Sequence, residues 1–340
     1  MFFIFRNIMD NLSISAVAKS LVMDGKGILA ADESAGTIAK RLETVQIENT
    51  EANRQAYREL LFTAPDMEKY ISGVIMFDET IRQTTRAGVS FIKLLNDKGV
   101  VPGIKVDQGV KDMDGSSVEK ITVGLDGLDA RLKEYYSLGA RFAKWRAIFT
   151  VGDGLPTEKC IKLNAQALAK YTQLCQKNNL VPIVEPEVLM DGSHTIKQCY
   201  EATVKVLAAI FVELKAEKID FSGVLLKPNM VIYSLEGEKA EAGQVAENTL
   251  KCLNSAVPAE VPGIVFLSGG QSGKEAFENL NAINKAAHDA PWKLSFSYGR
   301  ALQNTALKIW AGKEENILAA QQEFISCAKS ASSASKGQLK

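Results

Sequence analysis

The stretch Gly223-Val224-Leu225-Leu226-Lys227-Pro228-Asn229 reads as a buried strand that ends on a charge. Its apolar run is continuous instead of alternating, the pattern of a strand covered on both faces. Pro228 stops the ladder because it has no N–H to donate. Lys227 therefore falls at the carboxyl end of a strand whose other members are buried. An ammonium group taken out of water tends to give up its proton, and a neutral amine is a nucleophile. A lysine at a strand end can also snorkel to solvent, so the surrounding runs have to decide between the two readings.

Runs of the same kind recur at intervals of roughly 30 to 45 residues, about what one strand and one helix consume. Besides residues 223–227 they are GILAAD (27–32), GVIMF (73–77), GIKV (103–106), ARFAKWR (140–146), VPIVEPE (181–187), GIVFLS (263–268) and LSFSY (294–298). Helical spacing fills the gaps. Leu12, Val17, Leu21 and Val22 make an apolar face before the first strand, and Ser272 with Glu275 forms a capping box after the seventh. This alternation predicts an α/β fold, a single (β/α)8 barrel with an extra N-terminal helix. The competing open, doubly wound sheet would carry a glycine-rich fingerprint after its first strand, and none is present. The barrel is expected over residues 12–327, with a poorly ordered extension at 1–11. The Ser- and Ala-rich end, AKSASSASKGQLK (328–340), is expected to be a flexible tail.

A length of 340 residues suits one such barrel. Lys plus Arg and Asp plus Glu balance at 40 each, which argues against a partner held by a global field, whether nucleic acid or an anionic membrane. No apolar stretch approaches a membrane span, and the opening Met1–Arg6 segment is too short in its apolar core for a signal peptide. The five cysteines are scattered and include no CxxC pair, the usage of reduced, core-filling thiols in a cytoplasmic protein. His194 and His288 are the only histidines, too few for a His-rich metal site, and both read as solvated.

Barrel enzymes place their chemistry at the carboxyl ends of the strands. Those ends here are rich in polar groups: Asp32, Glu33 and Ser34 after the first, Lys105 on the third, Lys144 and Arg146 on the fourth, Glu185 and Glu187 on the fifth, Lys227 on the sixth. Lys144 with Arg146, and Glu185 with Glu187, share one side of their strands at period two. They make either an ion-pair belt that neutralises the lumen or an acid–base site around a reactive lysine. Ser268-Gly269-Gly270 and Ser297-Tyr298-Gly299-Arg300 follow the last two strands and open helices, an arrangement that suits a phosphate. Ser34, Thr37 and Lys105 offer a second anion site across the mouth, or Ser34 and Thr37 merely cap the next helix.

With these motifs in hand, ILAADESAGTIAKRL (28–42), GLDGLDARL (124–132), RFAKWR (141–146), VPIVEPEVL (181–189), LLKPNMV (225–231), FLSGGQS (266–272), LNAIN (280–284) and FSYGRALQ (296–303) closely resemble class I fructose-1,6-bisphosphate aldolase. The resemblance runs from about residue 12 to 325. It implies a lysine Schiff-base enzyme without metal or organic cofactor, acting on a small phosphosugar, cytoplasmic, and a homotetramer. Carried over position by position, it makes Lys227 the Schiff-base lysine and Glu185 the group that moves protons. Lys144 and Asp32 become the pair flanking the bond that breaks, and Glu187 a supporting carboxylate. Ser268, Gly269, Gly270, Ser297, Gly299 and Arg300 fall on the family's C1-phosphate site; Ser34, Thr37, Arg41, Lys105 and Arg146 line the remainder of the cleft. One departure stands out: many relatives end in a tyrosine, whereas the last tyrosine here is Tyr298. A transaldolase-like barrel and a silent phosphosugar-binding scaffold are the alternatives.

Overall fold

The computed structural model describes residues 12–340; the extension at 1–11 lies outside them. Ten strands occur in chain order: β1 (Gly27–Ala31), β2 (Ile71–Met76), β3 (Val101–Lys105), β4 (Val110–Asp112), β5 (Lys120–Thr122), β6 (Phe142–Phe149), β7 (Val181–Val188), β8 (Leu225–Leu226), β9 (Gly263–Phe266) and β10 (Lys293–Tyr298). All but β4 and β5 close into one barrel in the order β1-β10-β9-β8-β7-β6-β3-β2, every pairing parallel. Each barrel strand overlaps one of the expected apolar runs. The addition is the antiparallel hairpin β4–β5, whose first strand is exposed and so carries no apolar signature in the sequence.

The helices are α1 (Ile14–Leu21), α2 (Ala35–Glu43), α3 (Glu51–Phe62), α4 (Asp78–Arg82), α5 (Phe91–Asp97), α6 (Leu128–Leu138), α7 (Glu158–Lys177), α8 (Ile196–Ala216), α9 (Ala242–Ala256), α10 (Gly273–Ala286), α11 (Arg300–Trp310) and α12 (Ile317–Ala334). Local signals set their starts. Ser13, Thr157 and Ser272 each accept a hydrogen bond from a backbone N–H of the first turn, and Ser272 with Glu275 forms the expected capping box.

Two apolar layers result. Between sheet and helices lies the large core, and inside the lumen Val17, Leu21, Ile28, Ile75, Phe142 and Ile183 belong to a separate cluster. Helix α1 supplies the first two and plugs the amino-terminal mouth. The sheet makes room for it with glycine: a Cβ on Gly73 would stand 2.6 Å from Leu21, and one on Gly263 2.6 Å from Val22. Such distances are far inside contact, so a side chain at either position would have to push Leu21 or Val22 aside.

The carboxyl-terminal segment overturns an expectation. In place of a flexible tail beginning at 328, α12 continues to Ala334, with Ala328, Ala331, Ser332 and Ala334 buried. Beyond it Gly337 adopts φ +68°, a left-handed turn open to glycine, and the Leu339 N–H donates to Asn281 Oδ1 at 2.9 Å. Small side chains look like low complexity in the sequence, yet they let the helix sit close against its neighbours. Deleting residues 332–340 is therefore expected to lower the thermal midpoint by about 3–8 °C, read by calorimetry. None of these residues lines the cleft described below, so kcat should change by less than about threefold. An unchanged midpoint would show the segment to be undocked.

His194 differs too: it is buried at 5% exposure, against the reading of a solvated residue, whereas His288 is exposed. Burial lowers the His194 pKa, so its imidazole favours the neutral form. Cys160, Cys175, Cys199 and Cys252 are buried free thiols and Cys327 is half-buried. Among the described residues, no helix is long and apolar enough to cross a membrane.

Candidate active site at the carboxyl mouth of the barrel

Strand β8 holds only Leu225 and Leu226 before Pro228 interrupts it. Lys227 still donates its backbone N–H to Val184 of β7, at 2.8 Å, and this fixes where its side chain leaves the sheet. That side chain is 5% exposed, and its Nζ lies 2.9 Å from Glu185 Oε1. The other oxygen, Glu185 Oε2, is 2.9 Å from Lys144 Nζ, which in turn is 2.8 Å from Asp32 Oδ2. The four groups form one chain, Lys227–Glu185–Lys144–Asp32, in which the first three are buried and Asp32 partly so; they come from the end of β8, from β7 and β6, and from the end of β1. Period two brings them together: Phe142 and Val181 face the apolar lumen, and Lys144 and Glu185 follow on the same side toward the mouth.

The charges are mutually dependent. Burial alone would raise the Asp32 carboxyl, but the ammonium groups of Lys144 and Lys227 outweigh it and hold it well below the usual carboxylate range. Glu185 behaves the same way for the same reasons. Burial alone would lower Lys144, yet Asp32 and Glu185 raise it above the ordinary lysine value. Arg146 Nε donates to Glu187 Oε2, and Lys105 Nζ to Asp107.

These groups face a cleft of about 1700 Å³. Its lining includes Ser34, Thr37, Arg41, Lys105, Ser268, Gly269, Ser297, Gly299 and Arg300. The loops after β9 and β10 lead into the starts of α10 and α11, where backbone N–H groups are available to an anion. Ser297 Oγ is buried with no partner. A Cβ on Gly269 would reach within 2.7 Å of Glu187 Oε1, so a side chain there would have to push that carboxylate aside. Such a constellation can carry a carbonyl through an amine adduct beside a carboxylate that accepts and returns protons, with anions anchored at the rim.

The model of a known family, Fructose-bisphosphate aldolase class-I, matches residues 13–340. The chain belongs to the class-I fructose-bisphosphate aldolases. It is 52% identical over 329 residues to a probable fructose-bisphosphate aldolase class 1 from Xylella fastidiosa, covering 96% of this chain and 98% of that one. It is 50% identical to the cytosolic fructose-bisphosphate aldolase 4 of Arabidopsis thaliana, covering 98% and 85%. Among solved structures it is similar to the Plasmodium falciparum fructose-bisphosphate aldolase determined in complex with TRAP and a small molecule inhibitor: TM-score 0.95, 47% identity, 96% and 95% coverage. The aldolase therefore cleaves fructose 1,6-bisphosphate reversibly into dihydroxyacetone phosphate and glyceraldehyde 3-phosphate through a lysine Schiff base.

Of the aldolase site residues expected from sequence, the cleft gathers all except Gly270. Gly270, at φ +75°, packs toward Met190 and shapes the turn without lining the cleft. Arg41 falls closer to the β10 loop than its grouping with Lys105 implied: its NH2 is 3.7 Å from where a Cβ on Gly299 would stand. Two buried carboxylates at the cleft carry roles that the sequence reading did not assign: Glu33, seen only as part of the polar end of the first strand, accepts from Arg41 and Arg58, and Asp107 accepts from Lys105 and the Arg146 backbone. Asp107 had a signal, an acid two residues beyond a strand-end lysine.

The chain of charges predicts a pH dependence. Because the folded-state pKa of Asp32 is depressed, its contribution to stability is in place above the unfolded value of about 4 and is lost as pH falls through the folded value. Asp32→Asn is expected to cost about 2 kcal/mol at pH 7, and urea denaturation should show that gap closing below about pH 4. A gap independent of pH would mean that pairing with Lys144 is not its source.

Proposed function

We propose that Lys227 forms the Schiff base and that Glu185 shuttles the protons around it. The carrying observation is that one buried carboxylate, Glu185, lies 2.9 Å from both Lys227 Nζ and Lys144 Nζ. Lys227 gives its ammonium proton to Glu185, and the freed amine attacks the C2 ketone, a proton passing from nitrogen to oxygen to give a neutral carbinolamine. Glu185 returns a proton to the departing hydroxyl, and loss of water leaves an iminium. The iminium is an electron sink, so removal of the C4 hydroxyl proton by the Glu185 carboxylate breaks the C3–C4 bond and releases glyceraldehyde 3-phosphate. The remaining enamine is protonated at C3 and hydrolysed to dihydroxyacetone phosphate and free lysine. Lys144 and Asp32 flank the breaking bond, where the ammonium balances charge on the developing oxyanion. Glu187 holds Arg146.

The loops of Ser268, Gly269, Ser297, Gly299 and Arg300 take the C1 phosphate, with Gly270 shaping the turn; Ser34, Thr37, Lys105 and Arg146 serve the other end, and Arg41 stands between. Fructose 1-phosphate separates the two ends. Lys105→Ala should lower kcat/KM for fructose 1,6-bisphosphate by about tenfold more than for fructose 1-phosphate, whereas Arg300→Ala should depress both by similar factors. Equal losses for the two substrates in Lys105→Ala would reverse the assignment of ends. Placement in the cytoplasm is supported by the cytosolic Arabidopsis relative, and a homotetramer by the family resemblance.

A further inference from the structure

Glu33 is a buried charge beside the catalytic centre that this reaction scheme leaves unused. It follows Asp32 at the end of β1, but where Asp32 turns to Lys144, Glu33 accepts from two guanidiniums, Arg41 NH1 on Oε1 and Arg58 NH2 on Oε2. The Glu33 and Arg58 side chains are 5% and 3% exposed. Arg58 is held from behind: its guanidinium lies over the Tyr57 ring, the Tyr57 hydroxyl donates to Gln303 Oε1 at 3.1 Å, and Gln303 Nε2 donates to the Ala30 carbonyl of β1 at 2.6 Å. Tyr57, Arg58 and Gln303 stay clear of the cleft; Arg41 lines it, and so does Glu33, whose two carboxylate oxygens are both engaged by arginines.

At that end the geometry is directional. With NH1 occupied by Glu33, the NH2 of Arg41 is the nitrogen that lies by Gly299, on the loop that carries Arg300 and follows Ser297, whose hydroxyl has no partner. A free arginine side chain must give up rotamer entropy to engage a phosphate, and a pre-formed salt bridge settles that cost before the ligand arrives. Its fixed planar fork also means that restraining one nitrogen orients the others.

We propose that Glu33 is a positioning residue that aims Arg41 at the phosphate cradle, anchored in turn by buried Arg58. The inference rests on the reading of that cradle as the C1-phosphate site. Steady-state kinetics with fructose 1,6-bisphosphate and thermal unfolding of the full chain test it. Arg41→Ala is expected to raise KM by about tenfold, and Glu33→Gln by about fivefold with kcat within about threefold of the parent. Glu33→Gln should add nothing to KM in the Arg41→Ala background, because the two act as one unit. Glu33→Gln also leaves Arg58 as an unpaired buried cation, which threatens folding. The double variant Glu33→Gln/Arg58→Met removes cation and counter-ion together; it should recover thermal stability and keep the raised KM. Recovery of KM along with stability, or additive effects of Glu33→Gln and Arg41→Ala, would overturn the proposal. So would a normal KM in Glu33→Gln while Arg41→Ala and Arg300→Ala are both impaired, and that pattern would leave the cradle reading intact. A normal KM in Arg300→Ala would strike the cradle itself.

Discussion

Lys227→Met should lose cleavage turnover by on the order of 10⁴-fold or more, since it keeps an apolar stem in the lumen and deletes the amine proposed to form the adduct. Glu185 and Lys144 still pair in this variant, and methionine fills irregular space with little strain, so the loss should not come from unfolding. Borohydride reduction of the unaltered protein with dihydroxyacetone phosphate should place a covalent adduct on Lys227, found by peptide mass spectrometry, and turnover should be unchanged in EDTA. An adduct on another lysine would move the nucleophile elsewhere, and loss of activity in EDTA restored by zinc would replace the mechanism altogether.

Glu185→Gln carries the second largest expected effect. Glutamine keeps the shape and one acceptor but cannot take a proton, so kcat should fall by roughly 10²- to 10⁴-fold while KM stays within a few-fold. Phosphate affinity, read as competitive inhibition by inorganic phosphate, should be unaffected because Glu185 is distant in role from the rim loops. The variant also leaves Lys227 and Lys144 facing each other without the carboxylate between them, so adduct formation should slow along with turnover. Near-parental kcat would return Glu185 to the part of a structural counter-ion in the lumen.

The barrel was legible because burial on both faces leaves an unambiguous mark, a continuous apolar run such as GVIMF or GIVFLS, and because turn residues punctuate each one. The central site was legible for a related reason. Lys144, Glu185 and Lys227 stand in runs where any charge is conspicuous. What escaped lacked such contrast. Hairpin β4–β5 is short and largely solvated, so Val110 to Thr122 looks like loop. Glu33 sits in a polar string, Asp32-Glu33-Ser34, in which nothing in one dimension says that it turns away from its neighbour. The carboxyl-terminal helix hides its buried face in alanine and serine, and only the recurrence of Ala320, Phe324, Ala328 and Ala331 at helical spacing reveals it.

Helix α1 has a consequence for how the molecule comes together. Leu21 and Val22 emerge from the ribosome among the first residues of the chain, yet the glycine hollow that accepts Val22 belongs to Gly263, near the other end. Until that strand has been synthesised, the barrel floor cannot close and the apolar face of α1 has no complete partner. Loop closure over so long a separation is slow, and an early intermediate with that face uncovered is prone to aggregate. Helix α1, made well before Gly263 and seated only after it, is thus where a nascent chain of this enzyme would most need a chaperone.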